Sequence, residues 1–103
     1  MSGTVLIVDD EKNIRRALRM VLEGAGLAVE EAESAERGLE ILAAGEIDLV
    51  VLDVKLPGMN GIEALERIRA KPETARLPVL MISGHATVAD AMAAVQRGAT
   101  DFF

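Results

Sequence analysis

At 103 residues the chain has the length of one domain, and with half its residues hydrophobic it can bury a core without staples. The absence of cysteine excludes disulfide frameworks, thiolate zinc sites and cysteine nucleophiles, and two Phe as the sole aromatics leave no platform for stacking single-stranded bases. Seventeen acidic against eleven basic residues, a net charge of -6, speak against a duplex-binding surface of clustered Lys and Arg. Val5 to Val8 is a continuous apolar run bounded by Asp9 and Asp10, the pattern of a strand buried on both faces. Ile14, Ala17, Leu18, Val21 and Leu22 then recur at helical spacing and predict one apolar face, closed by Gly24 and Gly26. Leu27 to Ala32 reads as a weaker strand. Ser34 is the expected N-cap of a second helix, with Leu39, Ile41 and Leu42 as its apolar positions and Gly45 as its stop.

Leu49 to Leu52 repeats the design of the first strand and again ends in an aspartate, Asp53. Turn residues fill Pro57 to Gly61, and a third helix follows with Ile62, Leu65 and Ile68 on one face, ending before Pro72. Val79 to Ile82 is a fourth buried strand, terminated by Ser83 and Gly84. Thr87 and Asp90 form a capping-box pattern for a fourth helix whose apolar positions are Val88, Ala91, Met92 and Val95. Gly98 ends that helix, and Asp101 to Phe103 opens a fifth strand.

Five strands alternating with four helices predict an α/β fold, a doubly wound parallel sheet with right-handed crossovers. The first strand-to-helix turn lacks Gly-x-Gly-x-x-Gly, which disfavours dinucleotide binding. In the flavodoxin-like order 2-1-3-4-5, ligands bind beyond the carboxyl ends of the strands, where this chain places Asp9, Asp10, Asp53 and Ser83. Each of these alone is ordinary turn chemistry; their convergence is not. Three carboxylates in one shallow pocket repel one another unless a cation intervenes. A hard divalent ion with oxygen ligands answers that need, and Mg2+ fits best because it also leaves room for a phosphate.

These residues resemble a known family, the receiver domain of two-component response regulators, over essentially all 103 positions. The resemblance rests on Val5 to Glu11, on Asp48 to Gly61 with its Asp53-Val-Lys-Leu-Pro-Gly-Met-Asn-Gly run, on Met81 to Ala86, and on Gly98 to Phe103. Ser83 to Val88 and the ending Gly-Ala-Thr-Asp-Phe-Phe look closest to receivers of NtrC-type sigma-54-dependent activators. The resemblance implies that Asp53 accepts a phosphoryl group from a histidine kinase's phosphohistidine. Asp10 would ligate Mg2+ directly, Asp9 mainly through water, and the Lys55 backbone carbonyl would complete the protein ligands. Ser83 would hydrogen-bond the attached phosphoryl group, and Phe102 would be the aromatic that turns inward with that hydroxyl. It also implies a signalling switch rather than an enzyme, joined to an output domain that regulates transcription and working in the cytoplasm. The alternatives are a pseudo-receiver interaction module of the same fold and, more distantly, a Mg2+-dependent phosphatase. The phosphatase needs a second Asp where Lys55 stands.

The family carries a Lys-Pro pair beyond the switch aromatic and then a last helix. Here that Lys falls at position 105, past Phe103, so the 103 residues read as a receiver domain truncated at strand five with helix five missing. The sheet face covered by helix one alone is then expected to be partly bare, with homodimers or swapped oligomers as a consequence. No apolar run is long enough to span a membrane, no signal peptide is visible, and nucleic-acid binding by this domain is not expected. His85 reads as an exposed loop residue, the five Met as gap-fillers, and Pro57 and Gly61 as loop-shaping residues. Arg15, Arg16 and Arg19 read as the solvated side of helix one.

Overall fold

Short aliphatic runs with turn residues at their ends form the strands, and longer amphipathic stretches between them form the helices. The computed structural model describes residues 2–82 and 88–103. In chain order the elements are β1 (Thr4–Val8), α1 (Lys12–Gly24), β2 (Ala28–Ala32), α2 (Ala35–Ala43), β3 (Leu49–Asp53) and α3 (Gly61–Ala70). A single 3-10 turn over Pro72–Thr74, absent from the sequence reading, leads to β4 (Val79–Ile82), α4 (Val88–Gln96) and β5 (Asp101–Phe102). All five strands are parallel, in the order β2-β1-β3-β4-β5, as expected. Val8 lies opposite Ala32 on one side and Leu52 on the other, so β1 and β3 end level with each other.

The strands bury both faces, which is why they read as unbroken apolar runs. On one face Leu6, Val8, Val50 and Leu52 pack with Leu65 and Ile68 of α3, Ala35 of α2 and Ala94 of α4. On the other, Val5, Ile7, Val29 and Val51 pack with Leu18 and Leu22 of α1. Two caps tie the larger face together. Ser34 Oγ accepts from the Arg37 N–H at 3.1 Å, as its sequence position predicts, and Asn60 Oδ1 accepts from the Glu63 N–H at 3.0 Å, a cap that the turn-rich segment concealed. Gly38 lets α2 approach β1, since a Cβ there would lie 2.9 Å from Val8 Cγ2. The capping role of Thr87 falls outside the described residues.

Two expectations need correction. The apolar stripe of α1 divides: Leu18 and Leu22 meet the sheet, whereas Ile14, Ala17 and Val21 are exposed, Val21 by 71%. Helical spacing shows which residues share a face, but the contact with β1 and β2 is narrower than the stripe. Among the described side chains of α4, Ala94 is fully buried, while Met92 and Val95 are exposed. On the α1 face of the sheet full burial is confined to the middle: Val5, Ile7 and Val51 are buried there, whereas Leu49 of β3 and Leu80 and Ile82 of β4 are half-exposed, so that face is partly bare as expected.

Arg69 closes the amino-terminal end of the sheet. Its Nε donates to the Gly98 carbonyl at 2.9 Å, and its Nη1 to those of Leu77 and Thr74 at 2.6 and 3.1 Å. One guanidinium thus joins the end of α3, the approach to β4 and the turn between α4 and β5. Arg69→Met retains the stem but removes all three donors, and is expected to cost about 1–3 kcal/mol of unfolding free energy by urea titration. Arg69→Lys, with a compact ammonium in place of the planar fork, should recover only part of it.

Candidate functional site

The level ends of β1 and β3 place the next residue of one beside the last residue of the other. Asp9 follows Val8, and Asp53 follows Leu52. Asp9 is only 1% exposed. Its N–H donates to the Ala32 carbonyl at 3.0 Å, and its Oδ1 accepts from the Glu11 N–H at 2.8 Å. Asp10 is exposed on the turn into α1, and Asp53 is half-buried, its Oδ1 accepting from the Lys55 N–H at 3.2 Å. One carboxylate oxygen from each of Asp9, Asp10 and Asp53 lies within 4.8 Å of the others. The structure therefore brings together the three acids that the sequence singled out.

Their proximity shows in their acidity. Burial, then the charge of Asp9, and more weakly those of Asp10 and Glu11, push Asp53 up to about 6 against the opposing Lys55 N–H. Burial also raises Asp9, reinforced by Asp10 and Glu11 and opposed by the Glu11 N–H and the Arg15 guanidinium. Two carboxyls held above their ordinary range beside a third make a site that gains from a positive charge. The donor set is three carboxylate oxygens, with no His or Cys, and fits a hard divalent ion such as Mg2+ rather than zinc.

The remaining predicted residues stand as follows. Lys55 is two residues beyond Asp53, its N–H turned back to that carboxylate. Phe102 lies on β5 opposite Met81, half-buried against the larger core. Ser83 and His85 lie outside the described residues, directly after Ile82, which is the register partner of Asp53. Gly61 does more than shape a loop. A Cβ there would sit 2.0 Å from the Asp53 carbonyl oxygen, so the start of α3 presses on the backbone of Asp53 with no room for a side chain. The reading of Arg15 as solvated is overturned, whereas Arg16 is exposed and Arg19 keeps 40% of its side chain exposed. Arg15, with its side chain 13% exposed, donates from Nε to Glu31 Oε1 at 3.0 Å and from Nη1 to the Asp9 carbonyl at 2.7 Å. Arg19 pairs with the other oxygen of Glu31. The usable signal was Arg15 and Arg19, one helical turn apart, in a helix followed at once by a strand carrying Glu31.

Comparison with known proteins places the site in context. The response regulator receiver domain family matches residues 5–103. The KDP operon transcriptional regulatory protein KdpE of Escherichia coli K12 is 43% identical over 98 residues, covering 95% of this chain and 42% of that protein. The DNA-binding transcriptional regulator NtrC of the same organism is 37% identical over 100 residues, covering 97% of this chain and 21% of that protein, and supports the likeness to NtrC-type regulators. The chain thus spans less than half the length of these relatives. The crystal structure of the chemotaxis protein CheY4 of Vibrio cholerae superimposes with a TM-score of 0.92 at 27% identity, over 100% of this chain and 86% of that one.

The raised pKa of Asp53 fixes the sign of a pH effect. Its folded value, about 6, exceeds the ordinary 3.8, so the proton it holds favours the fold; that contribution is full below 3.8 and is lost as pH rises through about 6. Free of divalent ions, the protein is expected to lose stability across this window in thermal melts. Asp53→Asn should flatten the slope and melt higher than wild type at pH 7.

Proposed function

The chain belongs to the response regulator receiver domain family, whose members are signalling modules of two-component systems that receive from histidine kinases, and from that premise we propose that it is a phosphorylation-dependent switch with Asp53 as the phosphoacceptor. The observation that carries the reading is the cluster of Asp9, Asp10 and Asp53 at the ends of adjacent strands. An Asp53 carboxylate oxygen attacks the phosphorus of a phosphohistidine; the P–O bond forms as the P–N bond breaks, and the released imidazole takes a proton. Asp10 and Asp53 would hold Mg2+, with Asp9 acting mainly through water and the Lys55 carbonyl completing the protein ligands. When bound, Mg2+ supplies the positive charge that keeps these carboxylates ionised and offsets that of the arriving phosphoryl group. The Lys55 N–H orients Asp53 through its Oδ1. Ser83 donates its hydroxyl to the attached phosphoryl group, and Phe102 turns inward as that hydroxyl is drawn over. The signal passes to an output domain that regulates transcription, the role stated for KdpE and NtrC. The proposed compartment is the cytoplasm; no helix among the described residues is long and apolar enough to cross a membrane.

Incubated with acetyl phosphate, the protein is expected to gain one phosphoryl group by mass spectrometry, on Asp53 and only with Mg2+ present. Equal incorporation into Asp53→Asn would overturn the assignment. Mg2+ alone should raise the melting temperature, since an ion bound only by the folded state at ten times its Kd adds about 1.4 kcal/mol.

A further inference from the structure

Asp9 is held through both of its flanking peptides. The Asp9 N–H is bonded to Ala32 of β2 at 3.0 Å, and the Asp9 carbonyl, which belongs to the peptide leading into Asp10, accepts from Arg15 Nη1 at 2.7 Å. Arg15 sits one turn inside α1, and a helical side chain leans back toward the amino terminus, which carries its guanidinium over the β1–α1 turn. Glu31 holds that guanidinium in place, accepting from Arg15 Nε at 3.0 Å on one oxygen and from Arg19 Nη1 on the other. Arg19 is itself steadied by Glu23 Oε2 at 3.1 Å and the Val29 carbonyl at 3.2 Å. Among the described residues, Arg15 is the member of this network that reaches the carboxylate turn.

We infer that Arg15, oriented by Glu31, is a positioning residue for the carboxylate site: its bond to the Asp9 carbonyl fixes the peptide plane from which Asp9 and Asp10 reach a divalent cation. The inference rests on the Mg2+ role proposed above. Positioning and charge act in opposite directions here. As a cation beside two carboxylates, Arg15 repels an incoming cation, so removing its charge alone would tighten Mg2+ binding. Removing its hold on the turn weakens that binding, and groups that orient metal ligands are typically worth about 10–100-fold in metal affinity.

The test is titration of the protein with MgCl2, followed by calorimetry and by the Mg2+ dependence of the melting temperature. Arg15→Met is expected to weaken Mg2+ binding by about tenfold, and Arg15→Lys, which can still reach the Asp9 carbonyl, to regain part of it. Arg19→Met, which loosens the same network without touching the turn, should lower the metal-free melting temperature but move Mg2+ affinity far less. Should Arg15→Met fail to fold, Glu31→Gln serves in its place, with the same direction of effect. Unchanged or tighter binding by these variants, beside a wild type that binds, overturns the positioning role alone. A wild type indifferent to Mg2+ overturns the proposed function, and this inference with it.

Discussion

The parallel register between β1 and β3 is the constraint on which the rest of this molecule depends. With Val8 opposite Leu52, the two strands end together, and the residues at their ends cannot avoid each other. Asp9 is buried at that place and Asp53 half-buried, so their charges meet where water is scarce and the repulsion is poorly screened. Such an arrangement disfavours the fold, and it persists because both faces of the same strands are buried in aliphatic cores. Val5 to Val8 and Val50 to Leu52 are among the least exposed residues of the molecule. The strands that create the electrostatic problem are the ones with the packing to sustain it.

What was legible in the sequence follows from what has a short-range signature. Buried strands read as apolar runs, their carboxyl ends as aspartates, and the alternation with helices as a parallel sheet; from these the strand order and the Asp9, Asp10 and Asp53 cluster could be placed without coordinates. The sequence was weaker wherever the outcome depended on a neighbour. The stripe of α1 has an unambiguous period, yet only Leu18 and Leu22 found a surface to cover, and the same holds for Met92 and Val95 of α4. Arg15 was misread for the converse reason. An arginine on a helix is solvated by default, and only the position of Glu31 across from α1 turns it inward. Gly61 marked a turn in any reading, but its 2.0 Å clearance problem against Asp53 exists only once α3 is folded onto the end of β3.

Two arginines divide the task of holding the loops. Arg69 serves the amino-terminal end of the sheet, where its donors meet three backbone carbonyls, and Arg15 serves the carboxyl end, where it meets the Asp9 carbonyl and Glu31. The environments differ in consequence. At Arg69 the guanidinium donates to backbone carbonyls, and burial lowers its pKa, so its bonds act as structural ties between elements. At Glu31 burial raises the carboxyl's pKa, but the hydrogen bonds of Arg19 and Arg15 outweigh it and hold that acid below its ordinary range, so the anchor of the network stays charged. A tie of fixed charge thus stands next to carboxyls whose charge is easily changed.

That contrast gives the carboxyl end of the sheet its character. Asp9 and Asp53 have raised pKa values because they are buried beside like charges; Arg15 comes close enough to lower Asp9 somewhat, but its hydrogen bonds go to Glu31 and a backbone carbonyl rather than to the cluster. Had an arginine bonded Asp53 directly, the carboxylate would be satisfied, its pKa low, and both its nucleophilic oxygen and its room for a metal ion would be lost. The backbone bond from Arg15 holds the turn while leaving the Asp9 and Asp10 carboxylate oxygens uncommitted to a guanidinium. Gly61 achieves something similar on the other side, pressing α3 against the Asp53 backbone with no side chain to reach the carboxylate. The frame around the three acids is therefore built largely from main-chain contacts, which fix where the oxygens are without neutralising what they carry.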